Sequence, residues 1–334
     1  MKARRRHPNC PSGNACASRN LARARQRGAA LLTAMIIVSL VSTMAAAMVW
    51  QQFRAVQIEA AERARTQSAL ILQGALDWAR LILREDARAN MSNPIDHLGE
   101  VWATPLAEAR LSTFLAADNA NSADGPEAFL SGSIADAQSR YNLRNLVGGD
   151  EKARITELRA MERICDSVGV PTDTASQLAA ALSLALGPKT PELNPPLAPR
   201  DIDQLAWLGL NPGSLARLRP LVTLLPVPTP LNLNTASREL LATVFEGMDL
   251  ASAERIVRAR QDKPFRDLTE ILPLVPAAAM ISSQRGSFNS SFFEVRGRLR
   301  LEARVLEERS LVQRRGLDVV SISMRRQNLT PEAP

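Results

Sequence analysis

A charge-free run from Ala29 to Phe53 limits what this chain can become more than any other feature. Its strongly apolar part, Ala29 to Trp50, matches the ~20 residues that a helix needs to cross the hydrocarbon core of a bilayer. Every charged residue before position 54 is basic: Lys2, Arg4, Arg5, Arg6, Arg19, Arg23, Arg25 and Arg27. Positive charge beside one end of a span keeps that end cytoplasmic, so the chain from Arg54 onward is expected on the far side. The formal charge of +7 resides in this block, and the rest of the chain is close to balanced.

Three processing schemes fit such a start. The run could be an uncut signal anchor. It could be a secretory signal peptide cut after Ala45-Ala46-Ala47, which supplies small residues of the right kind. It could be a prepilin-type leader, cut on the cytoplasmic face after a glycine that directly precedes the apolar helix. Arg27-Gly28 abutting Ala29-Ala30-Leu31-Leu32 fits the third best, because the basic region is too long and the apolar run overshoots for the second. Gly28 and Ala29 are therefore the expected cleavage pair, with residues 1–28 removed as a basic leader and 29–53 forming the span.

The helix is expected to continue past the membrane. Between Val49 and Arg88 there is no proline, and Gly74 is the only glycine. Val56, Ala60, Ala64, Leu70, Leu72, Leu76, Trp78, Leu81 and Ile82 recur among Gln, Glu and Arg, the pattern of an amphipathic helix. Asn90 to Pro94 should end it, since a proline disfavours helical backbone in the residue before it. At 1.5 Å per residue a helix from Ala29 to Arg88 is ~90 Å long. A single-pass anchor with a coiled-coil stalk is one reading of it; an assembly element is the preferred one.

Composition excludes several classes. Cys10 and Cys16 fall in the leader, so Cys165 alone would remain, which rules out an intrachain disulfide or a cysteine metal site. His7 and His97 are the only histidines, and no Gly-x-Ser-x-Gly or phosphate loop is present. Aromatics make up 4%, too few for a base-stacking surface. Asp136, Asp201 and Asp203 read as loop or cap residues rather than acid–base groups. No catalytic residue is expected, and the chain is not read as an enzyme.

Downstream, Ala107–Ala116 and Ala128–Leu143 are expected as short strands and turns, with a turn at Asn121–Pro126. Lys152–Leu186 is helical by composition, split at Gly169-Val170-Pro171, and the proline-rich stretch from Pro188 to Pro199 is a linker. Asp201–Pro226 should hold two short helices and Thr235–Leu272 two more. From Phe293 to Val305 alternate residues are mostly apolar, which predicts one half-buried strand, and Leu317–Met324 predicts another. Strands thus flank a helical block. The expected fold class is α+β: a long N-terminal helix packed on a small antiparallel sheet, with a large all-helical domain inserted between strands. The expected boundaries are 54–148 for the helix continuation and first strands, 149–287 for the insertion, 288–326 for the C-terminal strands and 327–334 for a flexible tail.

In order along the chain, Gly28, the apolar helix, Pro94-Ile95-Asp96-His97-Leu98-Gly99-Glu100, Ile134 to Leu143 (IADAQSRYNL) and Leu231 to Ser237 (LNLNTAS) resemble the type II secretion minor pseudopilin K family. The resemblance covers nearly the whole chain. It implies a pseudopilin fold with a helical insertion, an inner-membrane protein whose bulk is periplasmic, and a place at the tip of the pseudopilus, where it nucleates assembly and supports secretion of folded proteins. It implies as partners the minor pseudopilins I, J and H, the major pseudopilin G, the prepilin peptidase, the inner membrane and the secreted substrates.

Three features test that resemblance. The fifth residue after the cut is Thr33, where most pseudopilins carry a glutamate that neutralises a neighbour's N-terminal amine; the K family lacks it, and so does this chain. Asn232–Leu272 resembles a helix-hairpin-helix unit, which makes a membrane-anchored DNA-uptake protein the rival reading. Its turn, Phe245 to Leu250, holds one glycine between Glu246 and Asp249, a poor phosphate cradle, and no nucleic acid is expected. Relatives also carry an aspartate-rich calcium loop, but the corresponding stretch here, Leu178–Gly187, has no carboxylate. Either calcium is lost or its site lies elsewhere, for instance at Asp201 and Asp203; no cofactor or metal is expected.

Overall fold

A computed structural model of the protein describes residues 15–111, 128–187, 195–279, 281–301 and 304–329. The chain divides into two units, Met1–Gln67 and Ser68–Pro334, and helix α1 (Ala15–Ala89) crosses the boundary. The expected turn at residues 121–126 and most of the 188–199 linker lie outside the described residues, as does the start of the leader.

In the first unit every residue from Ala29 to Ala60 is exposed. The hydroxyls within the apolar run bond back to their own helix, Ser39 Oγ to the Ile36 carbonyl and Thr43 Oγ1 to the Leu40 carbonyl, both at 2.9 Å. A helix is one of the few structures that satisfies all its backbone groups without water, and these side chains are satisfied the same way.

The second unit is built on a five-stranded antiparallel sheet in the order β1-β2-β7-β8-β9. The strands are β1 (Leu106–Arg110), β2 (Ala128–Asp136), β7 (Phe292–Leu301), β8 (Arg304–Arg315) and β9 (Asp318–Leu329). The C-terminal part of α1 lies on one face, where Leu76, Ala79 and Leu83 pack with Trp102, Phe293, Val295, Val312 and Val319. Trp102 meets Phe293 edge-on at 5.2 Å between centroids. Side chains of this size contribute ~1.5–3 kcal/mol each when fully buried. The helix comes close enough that a Cβ at Gly297 would stand 3.2 Å from Leu72 Cδ2. Arg80 donates to the Val319 carbonyl of the edge strand β9, and Arg84 to the Leu317 carbonyl in the turn just before it.

A second core holds the helical block. Its helices are α2 (Glu151–Ser167), α3 (Asp173–Leu186), α4 (Pro212–Leu218), α5 (Arg238–Val244), α6 (Leu250–Asp262) and α7 (Leu268–Ile271). Asp150, Asn211, Ser237, Asp249 and Asp267 cap five of them through side-chain oxygens, which is why polar residues punctuate this stretch. The core begins upstream of residue 149, with Tyr141, Leu143 and Leu146.

Four expectations need correction. The predicted strand from Phe293 to Val305 is the two strands β7 and β8. Leu301 pairs with Arg304 and Leu299 with Leu306, so Val305 lies on the face opposite Leu299. Period-two alternation reports which face a residue takes but not that the chain has reversed. The insertion is not purely helical: within it β5 (Leu231–Asn232) pairs in parallel with β6 (Gly286–Ser287), and its β4 (Val222–Thr223) pairs in parallel with β3 (Tyr141–Asn142), which lies just before it. The two short helices expected in Asp201–Pro226 are present, as a 3-10 helix, Ile202–Leu208, and α4, but Thr235–Leu272 holds three helices rather than two. Residues 327–329, expected in the tail, complete β9 opposite Val305–Glu307, because ladder bonds to β8 outweigh their polarity.

Candidate functional site: the apolar helix and a buried polar junction

The sequence-predicted site residues Gly28, Ala29 and Thr33 all lie within α1, in the first unit. Thr33 Oγ1 donates to the Ala29 carbonyl at 2.6 Å and lies 3.2 Å from that of Ala30. Its hydroxyl is therefore satisfied inside the helix and asks nothing of a neighbour, whereas a glutamate here would carry a charge that the helix cannot pair. Among the described residues, α1 is the one helix long and apolar enough to cross a membrane.

The three motifs that lie far apart in sequence meet in the second unit at one buried polar junction. Asp136, at the end of β2, is 3% exposed. Its Oδ1 accepts from the Gln138 amide at 2.7 Å. Its Oδ2 accepts from Asn232 Nδ2 (2.9 Å), Thr235 Oγ1 (2.6 Å) and Ser290 Oγ (2.7 Å). Burial pushes this carboxyl above its usual range, while the bonds from Thr235, Ser290 and Gln138 pull the other way. Asn232 also reaches the Asp96 carbonyl, and its own Oδ1 accepts from the Asn234 amide. Asn234 in turn brackets Phe265 with a bond in each direction. Asp136 and Asp201 are caps, as expected: each accepts from the amide two residues on.

Beside the junction stands a charged group. Arg314 of β8 donates to both oxygens of Asp96 (2.6 Å each) and to Asp86 of α1 (2.8 Å), and lies over the Phe293 ring. Glu100 is the third acid, and one carboxylate oxygen from each of Asp86, Asp96 and Glu100 lies within 4.8 Å of the other two. Burial pushes Glu100 up to about 7 and raises Asp86 as well. Sequence reasoning missed Ser290 and Arg314. Arg314 sits in a strand of many arginines, and nothing local marks it as the one that turns inward.

Among the described residues, three oxygen sets bear on the calcium expectation. Leu178–Gly187 lies on α3 and its C-cap and points Leu178, Leu182 and Ala185 into the core. Asp201 and Asp203 face arginines: Arg325 bonds both, and Arg219 bonds Asp203. Burial works upward on Asp203, but these bonds outweigh it and hold the carboxyl below its usual range. Arg314 occupies the equivalent place among the three acids. Calcium takes six to eight oxygens, and in both clusters a guanidinium already supplies the positive charge.

In the helix-hairpin-helix stretch, Gly247 has φ of 79°, and a Cβ there would fall 2.4 Å from the Ala278 carbonyl oxygen. The turn is thus packed against the chain's own backbone, where a phosphate-binding hairpin would leave it open.

Residues 139–227 and 231–288 each match a family model described as type II secretion system (T2SS), protein K, and these ranges follow the second core and its junction. Type II secretion system protein K of Pseudomonas aeruginosa is 31% identical over 262 residues, covering 72% of this chain and 74% of that protein. This chain belongs to the type II secretion system protein K family. The Klebsiella pneumoniae protein K is 27% identical over 331 residues, covering 87% of this chain and 94% of the relative. The fold matches a chain in the crystal structure of the GspK-GspI-GspJ complex from the enterotoxigenic Escherichia coli Type 2 Secretion System. The TM-score is 0.58 at 18% identity, covering 80% of this chain and 98% of that one. A protein K is a component of the type II secretion system, and the fold seen here is a pseudopilin fold.

Proposed function

We propose that this chain is the minor pseudopilin at the tip of a type II secretion pseudopilus, where it joins GspI and GspJ and starts assembly. The observation that carries this reading is Thr33. Its hydroxyl is bonded to its own helix, so the position where a repeating subunit needs a carboxylate offers none. Such a subunit is a poor repeat and an acceptable first member. The bulk of the helical block supports the same place, since a fibre that repeats through N-terminal helices accommodates it on an open end.

Three further elements complete the reading. The leader is removed after Gly28, leaving Ala29 as a methylated N-terminus. The span lies in the inner membrane, with residues from Arg54 onward in the periplasm. In the second unit, α1 leaves Leu70, Gly74, Trp78 and Leu81 exposed along one stripe, four and three residues apart. A Cβ at Gly74 would meet nothing within 4 Å, so the protein's own packing gives no reason for a glycine that costs ~1 kcal/mol in a helix. A close-packed helix of a neighbouring subunit would supply one. The rival DNA-uptake reading is disfavoured by the covered Gly247 turn.

Thr33→Glu tests the tip assignment. Secretion should be retained, or the variant should be misincorporated along the fibre. If Thr33→Glu abolished secretion with processing and stability intact, or if the protein occurred at many copies along isolated pseudopili, the assignment would fall. N-terminal sequencing of membrane-extracted protein tests processing: a start at Ala29 supports the leader, and a start at Met48 would point to a secretory peptide.

A further inference from the structure

The helical block is joined to the sheet by two short lengths of chain, residues 137–140 after β2 and residues 288–291 before β7. They leave the sheet side by side, since Asp136 pairs with Phe293 at the ends of β2 and β7. Two adjacent crossings hold a body against being pulled away, but they also define a line about which it can tilt. Resistance to tilting then comes from the two faces of the sheet, and the two faces are built differently.

On the face that carries α1 the tie is buried. The Asp96 amide donates to the Phe288 carbonyl (2.8 Å), its Oδ2 accepts from the Ser290 amide (2.7 Å), and its carbonyl accepts from Asn232 Nδ2 (3.1 Å). Arg314, opposite Val319 on that face, holds Asp96 and the Ser290 carbonyl. Asp96 and Asn232 are fully buried. Opening this side would leave charged and polar groups without partners, at the full desolvation cost of each. Asp96 also sits against the crossings themselves, where a tilt displaces little.

On the opposite face the tie is exposed. Arg325 of β9 shares that face with Leu311 of β8, because its partner Arg309 stands two residues from Leu311. It bonds Asp203 and reaches Asp201 (3.4 Å), both at the 3-10 helix of the block, and its side chain is 52% exposed. Ion pairs of this kind are weakened by water and by salt. Other contacts on this face sit at the crossings: Leu225 packs with Ala137, Phe292 and Leu311, and Arg140 bonds Glu294. Arg325 stands on the fourth strand counted from Asp136, level with Ser133, which by sheet spacings is roughly 18 Å from the crossing.

We propose that the helical block rides on a one-way hinge. It tilts about residues 137–140 and 288–291 by releasing Arg325 from Asp201 and Asp203, while the contacts among Asp96, Asn232 and Asp136 keep the α1 side closed. A tilt of about 20° moves the block by roughly 6 Å at the Arg325 site. The hinge goes beyond the tip assignment and does not depend on it. At the end of a fibre it gives a head that yields to sideways load in one direction while its hold on α1 is kept.

The test uses the full chain in detergent with Cys10 and Cys16 replaced by serine and the buried Cys165 left in place. Nitroxides at Ala206→Cys in the block and Ser323→Cys on β9, both exposed positions, span the Arg325 tie. A second pair, Asn93→Cys and Arg238→Cys, spans the buried tie, each within three residues of a group at the axis. Double electron–electron resonance measures both distances. At low ionic strength both distributions should be narrow. In about 1 M salt, where charges are screened within ~3 Å, the 206–323 pair should gain a population roughly 5 Å longer or more. Arg325→Gln should show that population at low salt, and the 93–238 pair should stay narrow throughout. A 206–323 distribution that stays narrow in 1 M salt would overturn the hinge. So would a 93–238 distribution that broadens with it, since the block would then loosen as a whole. The salt comparison needs no change at Arg325, so it decides the matter if Arg325→Gln fails to fold.

Discussion

Asn232 Nδ2 lies 2.9 Å from Asp136 Oδ2, two residues 96 positions apart in the chain. The bond joins β5 in the helical block to the end of β2 in the sheet, and Ser290 and Thr235 close around the same oxygen. The helical block is thereby fastened to the pseudopilin sheet by hydrogen bonds to one buried carboxylate.

Asp136→Ala should therefore destabilise the whole second unit. It leaves the Gln138 amide and the donors of Asn232, Thr235 and Ser290 without their acceptor. Unmet buried donors cost ~1–3 kcal/mol each, and hydroxyls can partly reorient, so a loss of about 3–5 kcal/mol is expected. Denaturant unfolding followed by circular dichroism checks it; a loss below about 1 kcal/mol would show that the junction is not a fastening point.

Arg314→Met should be at least as harmful. The side chain fits the space above Phe293, but Asp96, which is fully buried, loses its guanidinium. Removing one member of a buried ion pair typically costs ~3–5 kcal/mol. The double variant Arg314→Met with Asp96→Asn should recover part of that loss, and thermal unfolding of the single and double variants measures the recovery.

Two glycines should respond in opposite ways. Gly247→Ala forces a side chain into left-handed backbone and onto the Ala278 carbonyl, so it should destabilise the fold by roughly 2 kcal/mol or more. Gly74→Ala meets open space and should stabilise α1 by up to ~1 kcal/mol while weakening co-purification with the partner pseudopilins. Assembly unaffected by bulk at position 74, for example Gly74→Leu, would remove the exposed stripe from the interface.

Glu100 gives a pH dependence of fixed sign. Its carboxyl moves from the ordinary 4.5 to about 7 on folding, so its favourable contribution is full below pH 4.5 and lost as pH rises to about 7. The side chain is only 9% exposed, and the shift corresponds to something on the order of 3 kcal/mol. Glu100→Gln removes that loss. The melting temperature of the variant relative to wild type should climb between pH 4.5 and 7 and level off above; a constant difference would place the titration elsewhere.

The sequence by itself determined the long helix with its charge-free apolar run and the alternation of helical block and strands. These rest on local rules: a charge-free run of sufficient length, a period of 3.6 or 2, caps and prolines. It also determined that Thr33 is not a carboxylate, which fixes what the N-terminal helix can offer a neighbour. Tertiary structure alone decided that Leu72 and Leu76 face the sheet while Leu70, Trp78 and Leu81 stay exposed, because an apolar pattern does not say how wide the covered stripe is. It alone decided that β7 turns back into β8, since alternation looks the same through a short reversal. It alone selected Arg314, one arginine among many, to turn toward Asp96 and Asp86. That choice depends on which buried carboxylates lie across the fold, and their meeting involves residues more than two hundred positions apart, where no local signal reaches.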